Sequence, residues 1–208
     1  WARAGADAQK AAADQLPAFW SERHALARKL LRESDAAGAY AVVAGHGQTA
    51  VEPLTDAEFL AGFIALRQLK DPTRATRHFE ALAQASKAAI TQGRAQYWLG
   101  RSAAAAGKDP AEAYRRAATW TTTFYGQMAA VTLGDDPAAL SARIQATRDP
   151  AWLPEVAQGF AGHEVVRAAA WLAAWGDAPR ARVFLLRMDD LAPIPAERSL
   201  TAAFAVRV

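Results

Sequence analysis

The chain has 208 residues, a formal net charge of +3 and an isoelectric point near 9.4, with no cysteine. That length fits one or two domains with a substantial core. The missing cysteine excludes disulfides, thiolate catalysis and cysteine-ligated metal sites. No run of about 18 apolar residues occurs, so nothing in the chain reads as a membrane span. Roughly a quarter of the residues are alanine, the best helix former, and the prolines and glycines fall mostly between alanine-rich stretches, as punctuation. Residue 1 is Trp and no basic-then-apolar leader precedes it, which reads as a mature or cut fragment.

In chain order, the first recognisable unit is "ALARKLLRESDAAGAYAVVAGHG" (25–47), with Asp35 as a cap between two helices. The next carries "LKDPTRATRHF" (69–79), which returns as "GKDPAEAYRRA" (107–117) at an offset of 38 residues. At the same offset Phe59 matches Tyr97, Leu60 matches Trp98, Gly62 matches Gly100, Ala75 matches Ala113 and Arg77 matches Arg115. Ala95 to Ala106 reads as a helix. Tyr97, Arg101 and Ala104 lie on one stripe of it, Trp98, Ser102 and Ala105 on the next. Asp109 is expected to be an N-cap with Pro110 at the first helical position. That helix is expected from Pro110 to about Ala118 or beyond, and if it continues, Ala113, Ala117, Trp120 and Phe124 share one face. A looser copy follows in "AAAWLAAWGDAPRARVFLLRM" (168–188), with Trp171 and Trp175 on its first helix and Gly176-Asp177 at the break.

A period of about 34–47 residues filled by a helix pair is the pattern of an α-solenoid. The expected fold is all-α: a right-handed superhelix of antiparallel helix pairs, TPR-like, with about 10–13 helices. It forms one domain over 1–208 with a weak subdivision near 134–150. In such a stack the large residues of one helix sit on the small residues of its neighbour. Nearly every aromatic is therefore expected in the core. A stripe of aromatics stacking on sugars is the other reading.

Chemical motifs are sparse. No two of His24, His46, His78 and His163 stand three or four residues apart, so there is no helical ligand pair. His46, in "AGHGQ", is expected to cap or hydrogen-bond a turn. No G-x-S-x-G, P-loop or G-x-G-x-x-G is present, and no cofactor or metal is implied. Asp135-Asp136-Pro137 and Asp149-Pro150 read as caps, Asp189-Asp190 as a helix end or loop.

Three segments carry a family resemblance. Residues Glu58 to Arg67 read "EFLAGFIALR", Tyr97 to Arg101 read "YWLGR", and Thr123 to Ala129 read "TFYGQMA". In this order they resemble the helical region of soluble lytic murein transglycosylases, and "AYAVVAGHG" (39–47) is similar to that family too. The resemblance covers most of the chain from about residue 24. It implies a periplasmic parent protein that cleaves the MurNAc–GlcNAc bond of peptidoglycan and leaves 1,6-anhydro-MurNAc ends. In the family a glutamic acid opening an E-S-x-F helix, followed by G-x-x-G-L-M-Q, performs this in a C-terminal lysozyme-like domain. Neither signature stands here as a unit. "RESDAAG" (32–38) offers Glu33-Ser34, but no lysozyme-like sequence follows it, and "YGQM" (125–128) belongs to the helical motif. No catalytic residue is therefore expected in this chain, which reads as ending short of a catalytic domain.

The implied partners are peptidoglycan glycan strands and the parent's own C-terminal lysozyme-like domain. Arg74, Arg77, Arg94, Arg101, Arg115 and Arg116 are the candidates for glycan or domain contacts, and a solvated helix face is the plainer role for each. A stand-alone TPR-like scaffold for cell-envelope proteins is the alternative. The apolar ending "LTAAFAVRV" weighs against it, because a complete solenoid should close on a polar helix. Nucleic-acid binding rests on the isoelectric point alone, without a basic stripe or a reading motif, and is not expected.

Overall fold

Aspartates set several of the helix starts. In the computed structural model, which describes residues 15–148, 151–192 and 194–207, Asp35 accepts a hydrogen bond from the Gly38 amide at 2.8 Å and Asp71 from that of Arg74 at 2.9 Å. Asp136 does the same for Ala139 at 2.7 Å and Asp177 for Arg180 at 3.2 Å. Each satisfies one of the amides that a helix N-terminus leaves unpaired. The Asp149-Pro150 cap lies outside the described residues.

The described residues form twelve α-helices and no strand, the all-helical class expected from the sequence. They are α1 (Leu16–Arg32), α2 (Ala36–Ala44), α3 (Val51–Phe63), α4 (Pro72–Ala85), α5 (Ala89–Ala105) and α6 (Ala111–Ala118), then α7 (Phe124–Thr132), α8 (Pro137–Ala146), α9 (Pro154–Gly162), α10 (Glu164–Ala174), α11 (Ala178–Leu191) and α12 (Pro195–Ala205). The last turn of α3 widens into a π-helical segment, Ile64–Gln68, closed by Leu69 N–H to the Ile64 carbonyl at 3.0 Å. Asp189 and Asp190 fall in the final turn of α11.

The chain divides into two compact units, Trp1–Ala146 and Thr147–Val208. In the first, each helix from α1 to α7 packs on the next. Glycines make these approaches possible. A Cβ on Gly62 would stand 2.6 Å from the Phe79 ring, and one on Gly100 would stand 2.6 Å from the Tyr114 ring. A bare backbone on one helix thus receives a whole ring from the next, which keeps an alanine-rich interior at close-packed density. Around these notches lie Leu66, Leu82, Tyr97 and Trp98, all buried. A second cluster, with Trp20, Leu30, Val43 and Ile64, joins α1, α2 and α3. In the second unit α10 packs on α11, and Phe160, Val166, Ala169 and Met188 form a smaller core.

Two sequence expectations change, and a third, the helix from Pro110 to about Ala118 or beyond, is narrowed to its shorter length. Pro110 takes the N-cap position of α6, and Asp109 instead accepts from the Ala111 amide at 2.9 Å, so this helix begins one residue later than its counterpart α4. The helix does not run on to Phe124. It ends at Ala118 because the threonine run that follows turns the chain, and the Thr123 hydroxyl caps α7 through the Gly126 amide at 3.1 Å. Phe124 is consequently 68% exposed rather than packed beside Ala117. Finally, Trp171 and Trp175 are not core residues. They are 59% and 73% exposed, stacked only on each other at 6.0 Å.

Candidate functional site

The six arginines meet different surroundings. Arg94, in the first half of α5, lies 4.6 Å over the Phe59 ring. Arg101, one helical stretch further on, donates to the Tyr97 hydroxyl at 3.2 Å and lies 5.7 Å from the Trp98 ring centre. Both edge one aromatic cluster that draws on five helices, with Phe79 of α4 and Tyr114 of α6 also in ring contact. Phe59 and Phe63 of α3 contact Trp98 of α5 at 6.0 and 5.3 Å, and Tyr125 of α7 contacts Tyr97 and Trp98 at 5.5 and 6.4 Å. Such tilted and edge-on contacts favour the ring quadrupoles, and each stacked guanidinium adds about 0.5–1 kcal/mol. Arg74 is held by Asp71 at 3.1 Å and lies 5.5 Å over Tyr40. Arg115 and Arg116 both pair with Glu112, at 2.9 and 3.0 Å, on an exposed face. Arg77 is exposed and has no ion-pair partner among the described residues. Arg94 and Arg101 are thus brought to a common cluster, while Arg115 and Arg116 form a separate solvated pair.

The densest arrangement of ionisable groups was not among these candidates. Glu58, in the middle of α3, accepts from two histidines. His46 Nε2 stands 3.1 Å from one carboxylate oxygen and His78 Nδ1 stands 2.6 Å from the other. The tautomers follow from the ring partners. Gln48 donates its backbone amide to His46 Nδ1 at 3.0 Å, which leaves the proton of the neutral ring on Nε2, facing Glu58. Glu58 can only accept, so His78 Nδ1 carries the proton, which leaves Nε2 of the neutral ring to accept from the Tyr40 hydroxyl at 2.9 Å. His46 does hydrogen-bond its turn, as its sequence context implied, and it reaches α3 as well. Trp20 flanks the site, edge-on to His46 at 6.3 Å, and donates its indole N–H to Asp56 at 3.0 Å.

Burial alone pushes the Glu58 carboxyl up. The hydrogen bonds donated by His46 and His78 outweigh it, aided by electrostatic attraction to the two rings, and bring the group down from 4.5 to about 2. A carboxylate in this state holds elements together. It cannot serve as a proton donor at neutral pH, which requires the opposite shift. Glu33 fails for a different reason. Its side chain is 56% exposed, 3.8 Å from Lys29, without the enclosure that raises an acid. Among the described residues no group of three or more acidic or histidine side chains is arranged to hold a metal ion, and no helix is long and apolar enough to cross a membrane.

Sequence spacing concealed this bridge because His46, Glu58 and His78 are 12 and 20 residues apart, beyond any single-helix periodicity. One signal was available. Glu58 is a carboxylate within a helix whose Ala57, Leu60 and Ala61 are all buried, and a charge so placed needs a partner. Comparison with protein-family models, with curated proteins and with solved structures returns no match.

Proposed function

We propose that this chain is the non-catalytic helical arm of a periplasmic soluble lytic murein transglycosylase. In this reading its helix pairs build a right-handed, TPR-like superhelix. The parent protein cleaves the MurNAc–GlcNAc bond through a separate lysozyme-like domain. The arm supports that domain and holds glycan strands, with the arginines beside the aromatic cluster as contacts.

One observation carries the reading. The three segments that resemble the family, Glu58–Arg67, Tyr97–Arg101 and Thr123–Ala129, converge on a single packed cluster, each in a distinct structural role. Phe59 and Trp98 supply rings, Gly62 and Gly100 supply notches, and Thr123 and Gly126 start α7 against Trp120. Their joint presence is what this packing requires. The state of Glu58 supports the absence of catalysis, since the enclosed carboxylate is held ionised.

The test has two arms. The purified chain, incubated with peptidoglycan sacculi, is expected to sediment with them and release no anhydro-muropeptides. Release above a heat-killed control, abolished by Glu33→Gln or Glu58→Gln, would overturn the non-catalytic role. Reading the coding sequence downstream of Val208 is the second arm. An E-S-x-F helix and a G-L-M-Q stretch within about 150 residues supports the arm. A stop codon there favours a stand-alone scaffold for cell-envelope proteins, a reading supported by the exposed Trp171, Trp175, Val183 and Leu186 of the second unit.

A further inference from the structure

Between α4 and α5 runs a groove of about 280 Å³. Thr73, Thr76 and Arg77 line it from α4, Leu99 and Ala103 from α5, and Lys108 from the turn that follows α5. We propose that this groove binds a short acidic peptide, gripping its free carboxylates with Arg77 and Lys108. The proposal rests on the peptidoglycan reading for its natural ligand, the stem peptide, and names the peptide rather than the sugar as what this face takes.

Charge selects the occupant. Neither Arg77 nor Lys108 has an ion-pair partner among the described residues, and no acidic side chain lines the groove. The neighbouring basic residues differ. Arg74 is neutralised by Asp71, Arg115 and Arg116 share Glu112, and Lys70 donates to the Arg67 carbonyl at 2.7 Å. Two unpaired cations on one concavity attract anionic groups, and a guanidinium can hold a carboxylate bidentately.

The remaining lining selects a peptide over a bare anion. Thr76 donates its hydroxyl proton to the Pro72 carbonyl at 2.8 Å, so its oxygen presents lone pairs outward. Lone pairs repel an anion and accept peptide N–H groups. Leu99 and Ala103, both half-buried, add apolar surface to the groove, which suits small apolar side chains. Carboxylate, amide N–H and small apolar side chains together describe a short acidic peptide.

The probe is the synthetic N-acetylated tetrapeptide acetyl-L-Ala-γ-D-Glu-meso-diaminopimelate-D-Ala, which carries three carboxylates against one ammonium group, titrated into the isotope-labelled chain and followed by amide chemical shifts. Its fully carboxamidated form is the control ligand. The free-acid peptide is expected to shift the amides of Thr73 to Arg77 and Leu99 to Ala103. Carboxamidation, or the double variant Arg77→Gln/Lys108→Gln, weakens binding about tenfold or more, the loss of a charge-assisted contact. The exposed pair variant Arg115→Gln/Arg116→Gln leaves it unchanged. Equal binding of the carboxamide, unchanged binding by the Arg77/Lys108 variant, or no shifts in these segments overturns the groove. Sacculus sedimentation separates the two ideas. A chain that sediments with sacculi and ignores the tetrapeptide refutes the groove alone. A chain that binds the tetrapeptide through Arg77 and Lys108 but not sacculi keeps the groove and refutes the peptidoglycan arm.

Discussion

The helices of Trp1–Ala146 and those of Thr147–Val208 share an alanine-rich sequence, yet they use their large residues in opposite ways. In the first unit, Phe79 is fully buried and Tyr97, Trp98 and Tyr114 nearly so, with Phe79 matched to Gly62 and Tyr114 to Gly100 on a facing helix and Tyr97 and Trp98 enclosed by other rings. In the second, Trp171 and Trp175 stand in solvent, and Gly159 and Gly162 have no neighbour within 4 Å of where a Cβ would be. A small residue creates packing only when a ring is delivered to it. Where none arrives, the same composition gives a thin core and an exposed apolar face.

The comparison is tested hardest by truncating a ring. Phe79→Ala is expected to cost about 3–5 kcal/mol, since it empties the notch at Gly62 as well as removing buried area. Urea unfolding reads this directly, and a loss below about 1 kcal/mol would mean that the notch collapses freely. Glu58→Gln comes next, at about 2–3 kcal/mol, because a buried and a half-buried histidine donor lose their charged acceptor. Its pH signature is distinctive. The Glu58 carboxyl is lowered in the folded chain, so its stabilisation is complete above the ordinary value of 4.5 and is lost as pH falls through about 2. An acid titration of stability should therefore be flatter between these values in the variant than in the parent chain.

One substitution should change sign between the units. Gly100→Ala is expected to destabilise by about 1–2 kcal/mol, the overpacking against Tyr114 exceeding the gain in helix propensity. Gly159→Ala, in open space on α9, should stabilise by about 0.5–1 kcal/mol. Thermal melts of the pair, taken side by side, would refute the contrast if both shifts had one sign. The smallest effect belongs to Trp175→Ala, within about 0.5 kcal/mol by the same melts, because an indole 73% exposed gives up little packing.

The helical class was legible because its punctuation is local. Asp35 and Asp136 cap helices where the sequence put them, and the Asp-Pro pair at 71–72 opens α4. The first departure was also local. Asp109 closes a shorter turn on Ala111, a one-residue slip that capping preferences do not resolve. The exposure of Trp171 and Trp175 was not legible, since an alanine–tryptophan stripe reads alike whether or not a neighbour covers it. The Glu58 bridge was hidden for the converse reason. Its members sit on a turn and two helices, and only tertiary packing brings them together.

The notches carry an implication for how the two similar segments correspond. Gly62 and Gly100 keep the offset of the repeat, but the ring that fills the first comes 17 residues later, at Phe79, and the ring that fills the second comes 14 later, at Tyr114. The plug has migrated by about one helical turn while the socket stayed in place. Its counterpart positions, Ala117 and Thr76, have been released to other side chains. Between these two segments the constant is an empty position, and they superpose in sequence on the missing side chain better than on the conspicuous aromatic that occupies its place.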